Sequence, residues 1–313
     1  MNYRAAKPTE TELTMTRIWP SILVAALALW SFEPRGAQAA SQTLDKIRET
    51  GEITFGYREA SIPFAYIGSD QKPTGLSLDL CSAVLDKVKA ELHLPALKTA
   101  YVPVNASNRI PLLQNGTIDV ECGSTTNTAD RQKQVAFTVA TYVTSPRWLV
   151  SASSALKEPR DLDGKTIVIT QGSLNYGVAT KVIADEKLKV TIIQAKDHGE
   201  SLLMLDTGRA VAWFEDDILV AGLVANSPDP KAFRMLPAVY APSYYGLMLR
   251  KDDPEFKTLV DSVIKEKMAS GEFAKLYTKW FEQPIPPKGQ ILGLPMSATM
   301  KARVAAPSDA IDP

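Results

Sequence analysis

Three arginines, one histidine and a run of hydroxyls stand where strands are expected to end. Strand Glu52–Tyr57 delivers Arg58, and the strand ending near Val104 delivers Asn105, Ala106, Ser107 and then Arg109. The strand ending at Cys122 is followed by Gly123-Ser124-Thr125-Thr126 and, a helical turn further on, Arg131. Later, Thr170 leads into Gly172-Ser173, Ala195 into Asp197-His198, and Phe214 into Glu215-Asp216-Asp217. In open parallel sheets ligands gather beyond the carboxyl ends of strands, so these positions converge. An arginine fork grips a carboxylate through two parallel hydrogen bonds. Hydroxyls and helix N-terminal N–H groups complete an anion site, and a carboxylate such as Asp216 suits an ammonium. The set fits a ligand with two carboxylates and one ammonium. Each member alone has a plainer reading: a surface arginine is usually solvated, and Ser124, Thr126, Asp216 or Asp217 could simply cap the next helix. Their shared place at strand ends is what joins them. His93 falls at a helix end outside any such place and is given no role.

The elements that must position these residues alternate. Ser77–Leu92 carries Leu80, Val84, Val88 and Leu92 at helical spacing, and Asn115-Gly116 stops a short helix over Asn108–Gln114. Strands are expected over 97–104, 118–122, 166–170, 190–195 and 210–214. Helices are expected from Thr128 and over 174–185 and 200–206, then from Asp217. Repeated β-then-α order implies parallel sheets with helices on their faces. Two β-prone stretches interrupt the rhythm: Val139–Ser151, with Pro146 inside, and Met235–Arg250, with Pro237 and Pro242. They bracket a complete set of βα units. One lobe inserted into another through two extended crossovers explains this most simply, and a single large open sheet is the alternative. Two crossing strands make a hinge, and a hinge implies a cleft.

The run Ile22–Trp30 is apolar but about half the length of a membrane span. Arg17 precedes it and Ala37-Gln38-Ala39 follows with a small-x-small pattern, so residues 1–39 are expected to be a cleaved signal peptide. A membrane anchor or buried helix is the alternative, and Met15 would make a more ordinary start than Met1. The 35 basic and 35 acidic side chains become a single excess acid once residues 1–39 are removed, which argues against nucleic-acid or anionic-membrane partners. Only Cys81 and Cys122 occur, either bridged in an oxidising compartment or buried as inert thiols. No cofactor or metal is expected.

Several motifs resemble the periplasmic amino-acid-binding proteins of polar-amino-acid ABC importers, and most closely their glutamate/aspartate-binding members. They include Asn108-Arg-Ile-Pro-Leu-Leu-Gln-Asn-Gly116, Glu121-Cys-Gly-Ser-Thr-Thr-Asn127, Arg131-Gln-Lys-Gln134 and Ala195-Lys-Asp-His-Gly199. Gly208-Arg-Ala-Val-Ala212, Met248-Leu-Arg-Lys-Asp-Asp-Pro254 and Pro284-Ile-Pro-Pro287 continue the likeness. The resemblance implies an α/β fold of the type II periplasmic binding protein class, two parallel-sheet lobes joined by a two-strand hinge. With the two crossovers, lobe 1 is expected at 40–142 and 240–290, lobe 2 at 143–239 and a tail at 291–313. By the same resemblance Arg58, Arg109, Ser124 and His198 would hold the ligand's side-chain carboxylate. Thr126 and Arg131, helped by Ser173, would hold its α-carboxylate, and Asp216 its ammonium. Implied partners are an acidic amino acid and the permease subunits of an ABC transporter, for a monomer in the periplasm. Two departures stand out: Ala106 replaces a serine and Leu174 a second hydroxyl, so Ser107, Asn105 or a water would have to substitute and the choice between glutamate and aspartate stays open. Two rival readings are an enzyme on the same fold, dehydratase-like with His198 as its base or a Cys122–His198 thiol hydrolase, and a sensor for dicarboxylates.

Overall fold

In this computed structural model residues 41–311 are described; the expected signal segment lies outside them. The chain opens with α1 (Gln42–Thr50), whose first turn is capped by the Ser41 side chain accepting from the Leu44 N–H, and continues into β1 (Glu52–Tyr57). A small antiparallel sheet follows, built from β2 (Ala60–Ser61), β3 (Ala65–Ile67) and β4 (Pro73–Thr74). Then come α2 (Leu76–Leu92), β5 (Lys98–Pro103), α3 (Arg109–Gln114), β6 (Val120–Thr126), α4 (Ala129–Gln132), β7 (Val135–Phe137) and β8 (Tyr142–Thr144). The inserted part contains β9 (Pro146–Ser151), β10 (Thr166–Thr170), α5 (Asn175–Asp185), β11 (Thr191–Ala195), α6 (His198–Asp206), β12 (Ala212–Asp216), α7 (Asp217–Ala225) and β13 (Phe233–Val239). The chain returns through β14 (Ser243–Arg250) and ends with α8 (Pro254–Ala269), α9 (Glu272–Phe281) and α10 (Ala298–Ala305).

Two sheets organise these elements, one per lobe. The first runs β5-β1-β6-β14-β7, with β8 also paired to β14, and the second runs β11-β10-β12-β9-β13. Strands linked through helices pair parallel, as the βα rhythm requires. The crossing strands instead join antiparallel: β9 to β12 and β13, and β14 to β6, β7 and β8. Each lobe is therefore a parallel sheet extended by antiparallel strands that lead to and from the hinge. The chain changes sheet at Ser145 and again between Val239 and Ser243.

Burial explains why the sheets hold. Val168 and Trp213 point to one face of the second sheet and Ile167, Ile169 and Phe214 to the other, each face covered by helices. In the first lobe Phe64 meets Tyr142, Tyr245 and Phe281 edge-on, with ring centroids 5.0, 5.2 and 5.8 Å away. Such edge contacts add to the area that the rings bury. Cys81 on α2 and Cys122 on β6 form a disulfide, which ties the helix to the middle of the sheet. Residues 291–311 pack onto the molecule rather than trailing from it. Met300 is buried, the Arg303 guanidinium lies 4.3 Å from the Tyr244 ring centroid, and the Asn127 amide donates to the Asp309 carbonyl at 2.8 Å. Among the described residues no helix is long and apolar enough to cross a membrane.

Candidate functional site

The carboxyl ends of both sheets face one another, and each delivers its polar residues through a local device. After β5 the Asn105 side chain accepts from the N–H groups of Ser107 (2.9 Å) and Asn108 (3.0 Å), a turn that starts α3 with Arg109 already buried. β6 is buried along its length and runs to Thr126, four residues beyond the end expected from sequence, because β14 pairs with its far end. Ser124 and Thr126 share a strand face by two-residue alternation, while Glu121 and Thr125 share the other, where the Thr125 hydroxyl donates to Glu121 at 2.8 Å. Neither Ser124 nor Thr126 caps the next helix; Thr128 does, accepting from the Arg131 N–H. That leaves the Arg131 guanidinium to turn back onto the Thr126 carbonyl at 2.9 Å.

In the second lobe Gly172 takes the left-handed conformation (φ +75°) after β10, and Ser173 accepts from the Asn175 N–H to begin α5. Asp197 caps α6, so His198 is its first residue and is buried. β12 also ends two residues later than expected, so Glu215 and Asp216 belong to its buried carboxyl end. Asp216 accepts from the Tyr245 hydroxyl of the other lobe and from the Asn175 amide at 3.1 Å.

All eight residues selected from sequence (Arg58, Arg109, Ser124, Thr126, Arg131, Ser173, His198 and Asp216) line one small cavity of about 10 Å³. That is the room of about one water, so the walls have to part to admit a ligand. Ala106, Leu174, Glu215 and Leu219 complete the wall. Ser107 is exposed and Asn105 does not line this cavity, so neither replaces the hydroxyl missing at Ala106. Glu215 and Leu219 had no assigned part. The signal for Glu215 was its place beside Asp216, but its direction into the cavity depends on where β12 ends.

The walls touch, so the lobes are closed. Arg131 Nη2 lies 3.4 Å from the Gly172 carbonyl, and Arg58 Nη2 lies 3.3 Å from His198 Nε2. A guanidinium only donates, so Nε2 accepts and the neutral imidazole carries its proton on Nδ1, 3.0 Å from the Thr170 hydroxyl. Burial, then Arg58 and Arg109, holds this imidazole well below its usual titration range. The arginines are crowded too. Burial and the neighbouring Arg109 depress Arg58 to about 10 and Arg131 to about 9, and burial lowers Arg109. Arg109 Nε and Ser124 Oγ are buried with no hydrogen-bond partner among the described residues, and Arg109 Nη1 is 4.0 Å from Glu121. A buried unpaired donor costs free energy, and an anion placed between these groups removes that cost.

Cys122 is bridged to Cys81, so no free thiol stands near His198 for a hydrolase. The sequence of residues 53–283 matches the bacterial extracellular solute-binding proteins, family 3. It is 47% identical over 296 residues to an L-glutamate/L-aspartate-binding protein of Pseudomonas aeruginosa, covering 94% of this chain and 98% of that one. It is 42% identical to a glutamate/aspartate import solute-binding protein of Escherichia coli, covering 93% and 97%. An ancestral amino acid-binding protein, a precursor of cyclohexadienyl dehydratase, superposes with a TM-score of 0.67 at 25% identity, over 77% of this chain and all of its own. A buried polar cavity between two α/β lobes and a sequence match through both of them agree: the chain belongs to the bacterial extracellular solute-binding proteins, family 3.

Proposed function

We propose that this protein captures L-glutamate or L-aspartate outside the cytoplasmic membrane, in the periplasm, and delivers it to the permease of an ABC importer. The observation that carries the reading is the charge pattern of one closed cavity: the buried Arg58 and Arg109 and the half-buried Arg131 on one side, and Asp216 on the other. Arg58, Arg109, Ser124 and His198 take the side-chain carboxylate. Arg131, Thr126 and Ser173 take the α-carboxylate, and Asp216 the ammonium. The names of the relatives above support the same ligand class.

Ligand binds the first lobe, and the second closes over it. Closure expels water and strengthens every arginine–carboxylate contact through the lower local dielectric. Since a ligand with equal affinity for both states shifts nothing, it must prefer the closed one. The protein works as a monomer that binds rather than as an enzyme: His198 spends its lone pair on Arg58 and is not free as a base. Expected affinity is micromolar, about −8 kcal/mol. Titration calorimetry of ligand-stripped protein with glutamate, aspartate, glutamine, asparagine and arginine tests this. Micromolar heats for the two acids, with the amides much weaker, support the reading; silence toward both acids overturns it.

A further inference from the structure

Glu215 is the buried group that the ligand assignment above leaves unused. It is 1% exposed, lines the cavity, and treats its two oxygens differently. Oε1 accepts from the Asn175 amide, from the Asp216 N–H at 3.0 Å and from Ser173 at 3.5 Å. Oε2 has no hydrogen-bond partner among the described residues; the nearest ring nitrogen, His198 Nδ1, is 3.5 Å away and already faces Thr170. A carboxyl group with every donor on one oxygen and none on the other is arranged as a carboxylic acid whose O–H lies on the orphaned oxygen. Asp216 is the opposite case, with Tyr245 and Asn175 donating to different oxygens, and is held as the anion of the pair.

The charged groups around Glu215 and its neighbours are Arg58, Arg109 and Arg131, with Glu121, Asp197, Asp216 and Asp217 as the other acids. A protonated Glu215 adds no further negative charge where a ligand carboxylate would lie. Arg147, opposite Glu215 in the β9 register, donates instead to the Leu236 carbonyl at 2.6 Å.

We propose that Glu215 is a further specificity-determining residue: it accommodates an acidic amino acid only as a neutral carboxylic acid, its O–H aimed into the cavity at the bound carboxylate. The proposal rests on the ligand class given above. Burial, then Asp216, pushes the Glu215 carboxyl up to about 8, so the proton is already present below that pH. Above it the proton must be taken up when an acid binds. An amide ligand needs no proton.

The test is calorimetry of wild type and Glu215→Gln with L-aspartate and L-asparagine from pH 7 to pH 9, in two buffers of different ionisation enthalpy. The glutamine side chain mimics the neutral acid, and the ligand's own ammonium titrates identically in both proteins. Between pH 7 and pH 9 wild type should lose about tenfold more aspartate affinity than Glu215→Gln loses, with more buffer-dependent proton uptake on binding aspartate than Glu215→Gln shows and no such difference between the two proteins for asparagine. Equal pH profiles for the two proteins overturn the proposal. So does aspartate binding to wild type without proton uptake at pH 9, a measurement that needs no variant. Failure of the acidic-ligand reading looks different: neither protein then binds aspartate at pH 7.

Discussion

Gly222→Ala acts on the contact between the lobes and leaves the packing within each lobe alone. Gly222 lies on α7, and a Cβ built there would meet the Ile62 carbonyl of the first lobe at 2.2 Å from its oxygen and 2.8 Å from its carbon. Both are backbone atoms, so no side chain can swing aside, and the two lobes would have to separate by about 1 Å locally. Overpacking of this kind costs about 1–3 kcal/mol. Within the helix, alanine is favoured over glycine by up to about 1 kcal/mol. The variant should therefore fold at least as well as wild type while its closed state is disfavoured. Calorimetry should show ligand affinity reduced by about 5- to 150-fold. Scattering at subsaturating ligand should show a larger radius of gyration. Unchanged affinity in a folded variant would refute the reasoning, because it would mean that closure does not bring α7 against Ile62.

Three further outcomes are expected. Arg131→Ala leaves the α-carboxylate without its guanidinium and should weaken every bound amino acid alike, by about 2–5 kcal/mol in calorimetry; a loss confined to the acids would move Arg131 to the side-chain end. His198 is kept neutral in the folded protein, so below pH 6.5 the unfolded chain binds a proton that the fold refuses. Its contribution to stability is present above pH 6.5 and is lost as pH falls, by up to about 1.4 kcal/mol per unit. The raised Glu215 and Asp216 carboxyls act with the opposite sign, so the measurement is the difference between wild type and His198→Gln in denaturant titrations at pH 7 and pH 5. Equal slopes for the two proteins would contradict it. Cys81→Ser with Cys122→Ser opens a link across 41 residues and should cost about 4 kcal/mol of stability by loop entropy, with ligand affinity unchanged in the folded fraction.

How much of this was legible in the sequence depended on whether local pattern or distant pairing set each feature. β1 and β10 were read to the residue, since apolar runs bounded by turn residues define them. The far end of β6 and the end of β12 were misjudged because β14 and β9, distant in sequence, pair with them. Those same strand ends decide that Ser124 faces the cavity and that Glu215 does too, which is why the first was chosen for its type and the second passed over. β2 to β4 are two- or three-residue strands with too few positions for alternation to register. α10 follows a proline-rich stretch and was read as tail, yet it is buried through Met300 and Arg303. The set of side chains around the cavity was the most legible part, because residues chosen for their place at strand ends still converge when boundaries shift by two residues.

A crystal structure with L-aspartate bound tests the ligand assignment most directly. The α-carboxylate is expected on Arg131 and Thr126, the side-chain carboxylate between Arg58, Arg109 and Ser124, and the ammonium on Asp216. Arg109 Nε and Ser124 Oγ should both gain their missing partner. A ligand seated elsewhere, or an ammonium turned away from Asp216, would contradict it.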